Sequence, residues 1–138
     1  MPTHSSDLRL NTAGDGDVID LTERVEAIIA DAGVQDGAVS LFVPGSTAAI
    51  TTMEFERGGI HDLRATLDRL IPREGEYEHN RLNRDTNSHA HIRAAIVGPS
   101  ETVPVRDGRP RLGIWQQIVL VDFDDRPRER TVVVTVTG

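Results

Sequence analysis

ETVPVRDGRPRLGIWQQIVLVDFDDRPRERTVVVTV, residues 101–136, decides the fold class. Thr102 to Val105 is rich in β-formers and Asp107-Gly108 is a hairpin turn pair. Leu112 to Phe123 then reads as one long strand, Asp124 to Pro127 as a second turn, and Thr131 to Val136 as a closing strand. Strands that follow one another through short turns form an antiparallel meander. Val132, Val133 and Val134 break the apolar/polar alternation of a half-exposed strand, which predicts burial on both faces, one of them at a subunit interface.

Upstream of this meander, helices are inserted between strands rather than alternating with them. Leu8 and Leu10 mark a short strand, followed by a turn at Gly14 to Asp17. Val25, Ile28, Ile29 and Ala32 recur at helical spacing from Asp20 or Thr22 onward, and Gly33 sits where a C-terminal glycine belongs. Ala38 to Val43 and Thr47 to Phe55 read as strands joined through Pro44-Gly45-Ser46. Ile60, Leu63, Leu67 and Leu70 give a second helix, stopped by Pro72, with His61 as a surface residue of its first turn. Arg73 to Ser88 reads as a long polar loop, and Ala90 to Val97 as a short helix capped by Asn87 or Ser88. The expectation is one α+β domain over residues 1–138, with about six strands in a largely antiparallel sheet and three helices.

Composition removes several function classes. There is no cysteine, so disulfides, thiolate metal sites and cysteine nucleophiles are excluded. All fifteen basic residues are arginine, which removes Schiff-base lysines and the P-loop lysine. The net charge of −7 and scattered arginines argue against a nucleic-acid partner. The apolar runs are too short for a membrane span, and Met1 to Asp7 lacks the pattern of a signal peptide, so the cytoplasm is the expected compartment.

The densest polar stretch holds His79, Asn80, Asp85, Asn87, His89 and His91. Imidazoles beside carboxylates and amides can bind a metal or move protons near neutral pH; the plain alternative is a solvated polar loop. On a strand His89 and His91 would share a face, whereas on a helix they would stand roughly 160° apart. A helix starting near Asn87 would also offer free amides to a phosphate, with His91, Arg93 and Ser100 as further donors, unless it is an ordinary cap with Arg93 on the surface. Glu54 and Glu56 would face one side of a strand, able to hold a hard cation or transfer protons. Trp115, the single tryptophan, and Gln116 fall mid-strand, where core packing is the plain reading of the indole.

Taken in order, Gly45-Ser46-Thr47-Ala48-Ala49, Tyr77-Glu78-His79-Asn80, Asn87-Ser88-His89-Ala90-His91-Ile92-Arg93-Ala94 and Leu112-Gly113-Ile114-Trp115-Gln116-Gln117 resemble the YjbQ-like family of secondary thiamine-phosphate synthases. The resemblance extends from about Val18 to the closing valines. It implies a compact α+β subunit, a homotrimer, and polar pockets near subunit boundaries that hold a divalent metal such as zinc. The family pattern carries over at Thr47, Glu54, His79, Asn80, Asn87, His91, Gly98, Ser100, Gly113, Trp115 and Gln116. It departs at Gly45 and Ser46, where many relatives have histidine and threonine, and at Met53, where they have asparagine.

The resemblance implies joining of an aminopyrimidine diphosphate to a thiazole phosphate with release of pyrophosphate, as a main or secondary activity. His91, His79 and Glu54 are then the catalytic candidates. Ser46, Thr47, Asn80, Asn87, Arg93, Ser100, Trp115 and Gln116 are the substrate-binding ones. His79, His89 and His91 would hold a metal, His89 standing in for the missing histidine, and Glu54 would hold Mg²⁺. The alternative is a trimer that binds a metal or phosphorylated metabolite without robust turnover.

Overall fold

In the computed structural model, which describes residues 2–138, the closing segment is β8 (Arg128–Thr137). It pairs on one edge with β1 (Thr3–Thr12) and on the other with β3 (Gly37–Phe42). β5 (Ser100–Arg106) and the two-residue β6 (Arg109–Pro110) complete a five-stranded sheet in the order β1-β8-β3-β5-β6. A three-stranded sheet sets β7 (Gln117–Asp122) between β2 (Asp17–Asp20) and β4 (Ala48–Met53). Every strand pairing among the described residues is antiparallel, so the α+β reading holds. Asp107 and Gly108 both take positive φ, 53° and 75°, and join β5 to β6 by the two-residue turn their sequence demands.

The two sheets enclose one apolar layer with helix α1 (Thr22–Ala32), in which Leu21, Val25, Ile29, Val39, Leu41, Ile50, Ile118, Leu120, Val132, Val134 and Val136 are buried together. The other face of the three-stranded sheet, through Ala49, Val119, Val121 and Phe123, packs under α2 (Arg57–Leu70) and α4 (Ser88–Val97). That double cover explains the continuous apolar run of β7. β8 is different. Val132 and Val134 are fully buried while Val133 is half-buried, opposite Asp7 and Phe42 on the sheet's outer face, so the expectation of burial on both faces is corrected within this chain.

Four further boundaries differ from the sequence reading. Asp17–Asp20 forms β2, short but paired with β7 along its length. The strand expected to reach Phe55 ends at Met53, because the Glu56 carboxylate accepts from the amides of Gly58 and Gly59 and starts α2 there. The long polar connection contains a helix, α3 (Glu78–Asn83), making four helices among the described residues. It lacked an apolar period, Leu82 being exposed, and the connection is held by side chains instead: Arg73 to Asp15 at 2.6 Å and Thr86 to Asp125. Leu112 to Gln116 is a turn rather than strand, closed by the Gln116 amide on the Gly113 carbonyl, 3.1 Å. No helix among the described residues is long and apolar enough to cross a membrane.

Candidate functional site

α3 and the start of α4 lie side by side, so residues twelve apart in sequence meet. The rings of His79 and His91 have centroids 4.6 Å apart and planes tilted by 57°. His79 Nε2 lies 3.2 Å from Asn87 Oδ1 and 3.7 Å from Asp85 Oδ2; its Nδ1 lies 3.4 Å from Asn83 Nδ2. With Nε2 donating to Asn87 and Nδ1 accepting from Asn83, this network selects the Nε2–H tautomer. Asn80 accepts the Ser88 amide through Oδ1 at 3.0 Å, tying α3 to the first turn of α4. Asn87 therefore caps nothing with its side chain; its oxygen serves His79.

His91 also lines a cavity of about 200 Å³, whose other walls are Gly45, Ser46, Ala48, Ala94, Ala95 and Pro99. The walls come from distant segments fastened by backbone bonds, Val43 N–H to the Pro99 carbonyl at 2.9 Å and Ile50 N–H to the Gly98 carbonyl at 3.0 Å. Ser46 is exposed at this cavity, and Ser100 is exposed just beyond Pro99 at the start of β5. Thr47, by contrast, is buried, its hydroxyl donating to Asp124 at 3.1 Å and accepting from Arg130 at 2.6 Å.

Several candidates are separated from this pair. His89 is two residues from His91 on one helix and points to the opposite side, into a cavity with Asp15, Asp68, Arg73, Glu74 and Arg93. It is 2% exposed, its Nδ1 has no partner, and burial, then Arg93 and Arg73, lower its pKa below 6.5. Arg93 is buried, its Nε and Nη2 donating to the Ile71 carbonyl at 3.2 and 2.7 Å and Nη2 to Asp68 at 3.1 Å. It closes the C-terminus of α2 through Nε and Nη2, so it is not the surface residue of the plain alternative, and it lies on the cavity side of α4 away from His91. Glu54 is exposed past the end of β4 and shares no strand face with Glu56. Trp115 is 72% exposed and Ile114 87%, so the indole is neither mid-strand nor core. Beside it Gln116 bonds the Thr52 hydroxyl at 2.9 Å, fixing this loop against β4.

One cluster escaped the sequence reading. Arg130 donates from Nε and Nη2 to the two oxygens of Asp122, and Thr12 donates to the same carboxylate at 2.6 Å. Arg128 holds Asp124 at 2.8 Å. Burial pushes the Asp124 pKa up, but the Asp125 amide, the Arg128 guanidinium and the Thr47 hydroxyl together outweigh it and hold it down at about 2. The signal was present in Asp122/Asp124 and Arg128/Arg130, two like-charged pairs at strand period that face one another across the turn joining β7 to β8.

Residues 6–138 match the family described as UPF0047 protein YjbQ-like. The chain belongs to that family. A UPF0047 protein from Archaeoglobus fulgidus is 38% identical over 128 residues, covering 93% of this chain and 97% of the relative. One from Mycobacterium tuberculosis is 40% identical over 122 residues, covering 88% and 90%. The crystal structure of a YbjQ-like protein of unknown function from Sulfolobus solfataricus P2 superposes with a TM-score of 0.94 at 34% identity, over 99% of this chain and 98% of that one.

The zinc implied by the resemblance can be tested against the donors this YjbQ-like chain presents. A structural zinc takes four ligands and a catalytic one at least three. No group of three or more histidine or carboxylate side chains able to hold a metal occurs among the described residues. His79 Nε2 is already bonded to Asn87, and His89 lies on the far side of α4. The residues of one chain do not fit a zinc centre.

Proposed function

We propose that this YjbQ-like protein is a cytoplasmic enzyme of the thiamine-phosphate synthase type, joining an aminopyrimidine diphosphate to a thiazole phosphate and releasing pyrophosphate. The observation supporting this reading is the His79–His91 pair beside the cavity lined by Gly45 and Ser46. In the reaction the carbon–oxygen bond to the diphosphate breaks, its electron pair leaves with pyrophosphate, and the thiazole nitrogen forms a bond to that carbon. The attacking nitrogen carries no proton, so the transfer needs no base; it needs donors aimed at the departing diphosphate. His91 faces the cavity and is the donor for that role, while His79, held by Asn87 and Asn83, packs against it and fixes its ring. Trp115, separated from the pair within one chain, would offer its exposed flat surface to the pyrimidine from a neighbouring copy, and Gln116 holds its loop in place. Mg²⁺ would arrive with the diphosphate, for which one protein carboxylate such as Glu54 suffices.

A cavity of about 200 Å³ is smaller than the ~300 Å³ at which ligand pockets usually begin. The reading therefore includes a homotrimer in which a neighbouring copy completes the pocket. The second reading, a binding protein without robust turnover, is favoured by one observation: both nitrogens of His79 are already engaged. Incubating the protein with both substrates and Mg²⁺ distinguishes them. Thiamine phosphate and pyrophosphate appearing in equal amounts support the enzyme; ligand binding without either product supports the binding protein.

A further inference from the structure

Arg130, like Arg93, is a buried arginine held by fixed partners with one donor nitrogen left over, but it alone of the two stands beside the cavity that His91 faces. Its side chain is only 10% exposed, it is locked in place by Asp122 and Thr47, and it retains one donor nitrogen without a partner. Nε and Nη2 make all of its hydrogen bonds among the described residues. Nη1 makes none, yet it is not among the fully shielded unpartnered atoms, so it keeps contact with solvent. Nη1 lies against Gly45. A Cβ placed on Gly45 would lie 2.9 Å from Nη1, and outside Pro44 to Ser46 no other atom comes within 4 Å of that position. The glycine also holds φ at +144°, where side chains are disfavoured, and it lines the cavity that His91 faces. The missing side chain thus leaves a notch with a fixed guanidinium N–H pair at its end and the exposed Ser46 hydroxyl beside it.

We propose that this notch is an oxyanion subsite, in which Arg130 Nη1 and the Ser46 hydroxyl take a terminal phosphate group of the ligand while His91 faces the remainder. The proposal rests on the histidine-pair cavity being the ligand site. Asp122 balances the Arg130 charge and Arg128 balances Asp124, so the subsite works by short charge-assisted hydrogen bonds and not by a long-range field. Its donors are preorganised, because Asp122 and Thr47 hold the guanidinium before any ligand arrives.

The test is calorimetric titration of the full chain with inorganic pyrophosphate, with acetate as control, for wild type, Gly45→Val and Arg130→Lys. The valine fills the notch and, with its Cβ falling 2.9 Å from Nη1, crowds that nitrogen out of it while keeping the Arg130–Asp122 pair; the lysine keeps the charge against Asp122 and deletes Nη1. Each variant is checked for native circular dichroism, and the wild-type Arg130 guanidinium resonances are followed by NMR during the titration, a readout that needs no variant. The expected result is saturable pyrophosphate binding, little response to acetate, at least tenfold weaker binding in folded variants, and a shift of the Arg130 resonances. Unmoved Arg130 resonances, or a folded Gly45→Val that binds as wild type does, overturn the subsite. Turnover with pyrophosphate binding indifferent to Gly45 would sink the subsite and leave the enzyme reading standing. Gly45-dependent binding without turnover would do the reverse.

Discussion

Arg130 grips Asp122 through two side-by-side bonds, Nε to Oδ2 at 2.7 Å and Nη2 to Oδ1 at 2.9 Å, with the carboxylate wholly shut off from water. Removing one partner of such a pair leaves a buried charge uncompensated. Asp122→Ala is therefore expected to destabilise the fold by about 3–5 kcal/mol, read from urea unfolding. A loss below about 1 kcal/mol would show that the pair is not structural.

Asp124 carries a pH signature. Burial opposes its ionisation, but the Asp125 amide, Arg128 and Thr47 hold its folded pKa at about 2, below the ordinary 3.8. A depressed carboxylate pKa contributes stability above the unfolded value and loses it as pH falls through the folded one. The thermal midpoint should drop between pH 3.8 and about pH 2, and Asp124→Asn should remove that part of the slope. An unchanged slope in the variant would contradict the assignment.

His89 acts in a different window. Burial first, then Arg93 and Arg73, disfavour its protonation, against weaker opposition from Asp125 and Asp15. The unfolded chain takes up a proton near 6.5 and the folded chain does so only at lower pH, so stability is full above 6.5 and declines as pH falls below it. Chemical denaturation at about pH 7.5 and about pH 5 should show this decline in wild type and a weaker one in His89→Gln. Equal declines would assign the effect to other groups.

Trp115 has little to lose structurally. With the indole 72% exposed, Trp115→Ala should change stability by no more than about 0.5 kcal/mol. On the proposed reaction it should raise KM for the aminopyrimidine diphosphate. A large loss of stability with an unchanged KM would mark the indole as a packing residue.

Much of the architecture was legible because it rests on local rules. Asp107-Gly108 could hardly do anything but turn, and the apolar spacing of α1 had one place to be buried. What stayed hidden was set by contacts across the chain. α3 has no apolar stripe and is held by neighbours that only folding supplies. Glu56 ended β4 by capturing two glycine amides, and Arg93 turned inward to close α2 on a carbonyl twenty-two residues away. For the candidate site, polar density pointed to the stretch in which His79 and His91 meet. Only the helix phase separated His89 from them, and the Asp122/Asp124 and Arg128/Arg130 period announced an ion-pair cluster without linking Arg130, fifty-one positions from His79, to the cavity.

The most direct test of the central claim is the rate of thiamine phosphate formation by His91→Ala beside wild type, with both thermal midpoints measured on the same preparations. His91 faces the cavity and makes no side-chain hydrogen bond among the described residues, so its removal should leave the midpoint within a few degrees. The account predicts that turnover falls at least about a hundredfold in that folded variant. A folded His91→Ala protein that forms product at the wild-type rate would contradict it.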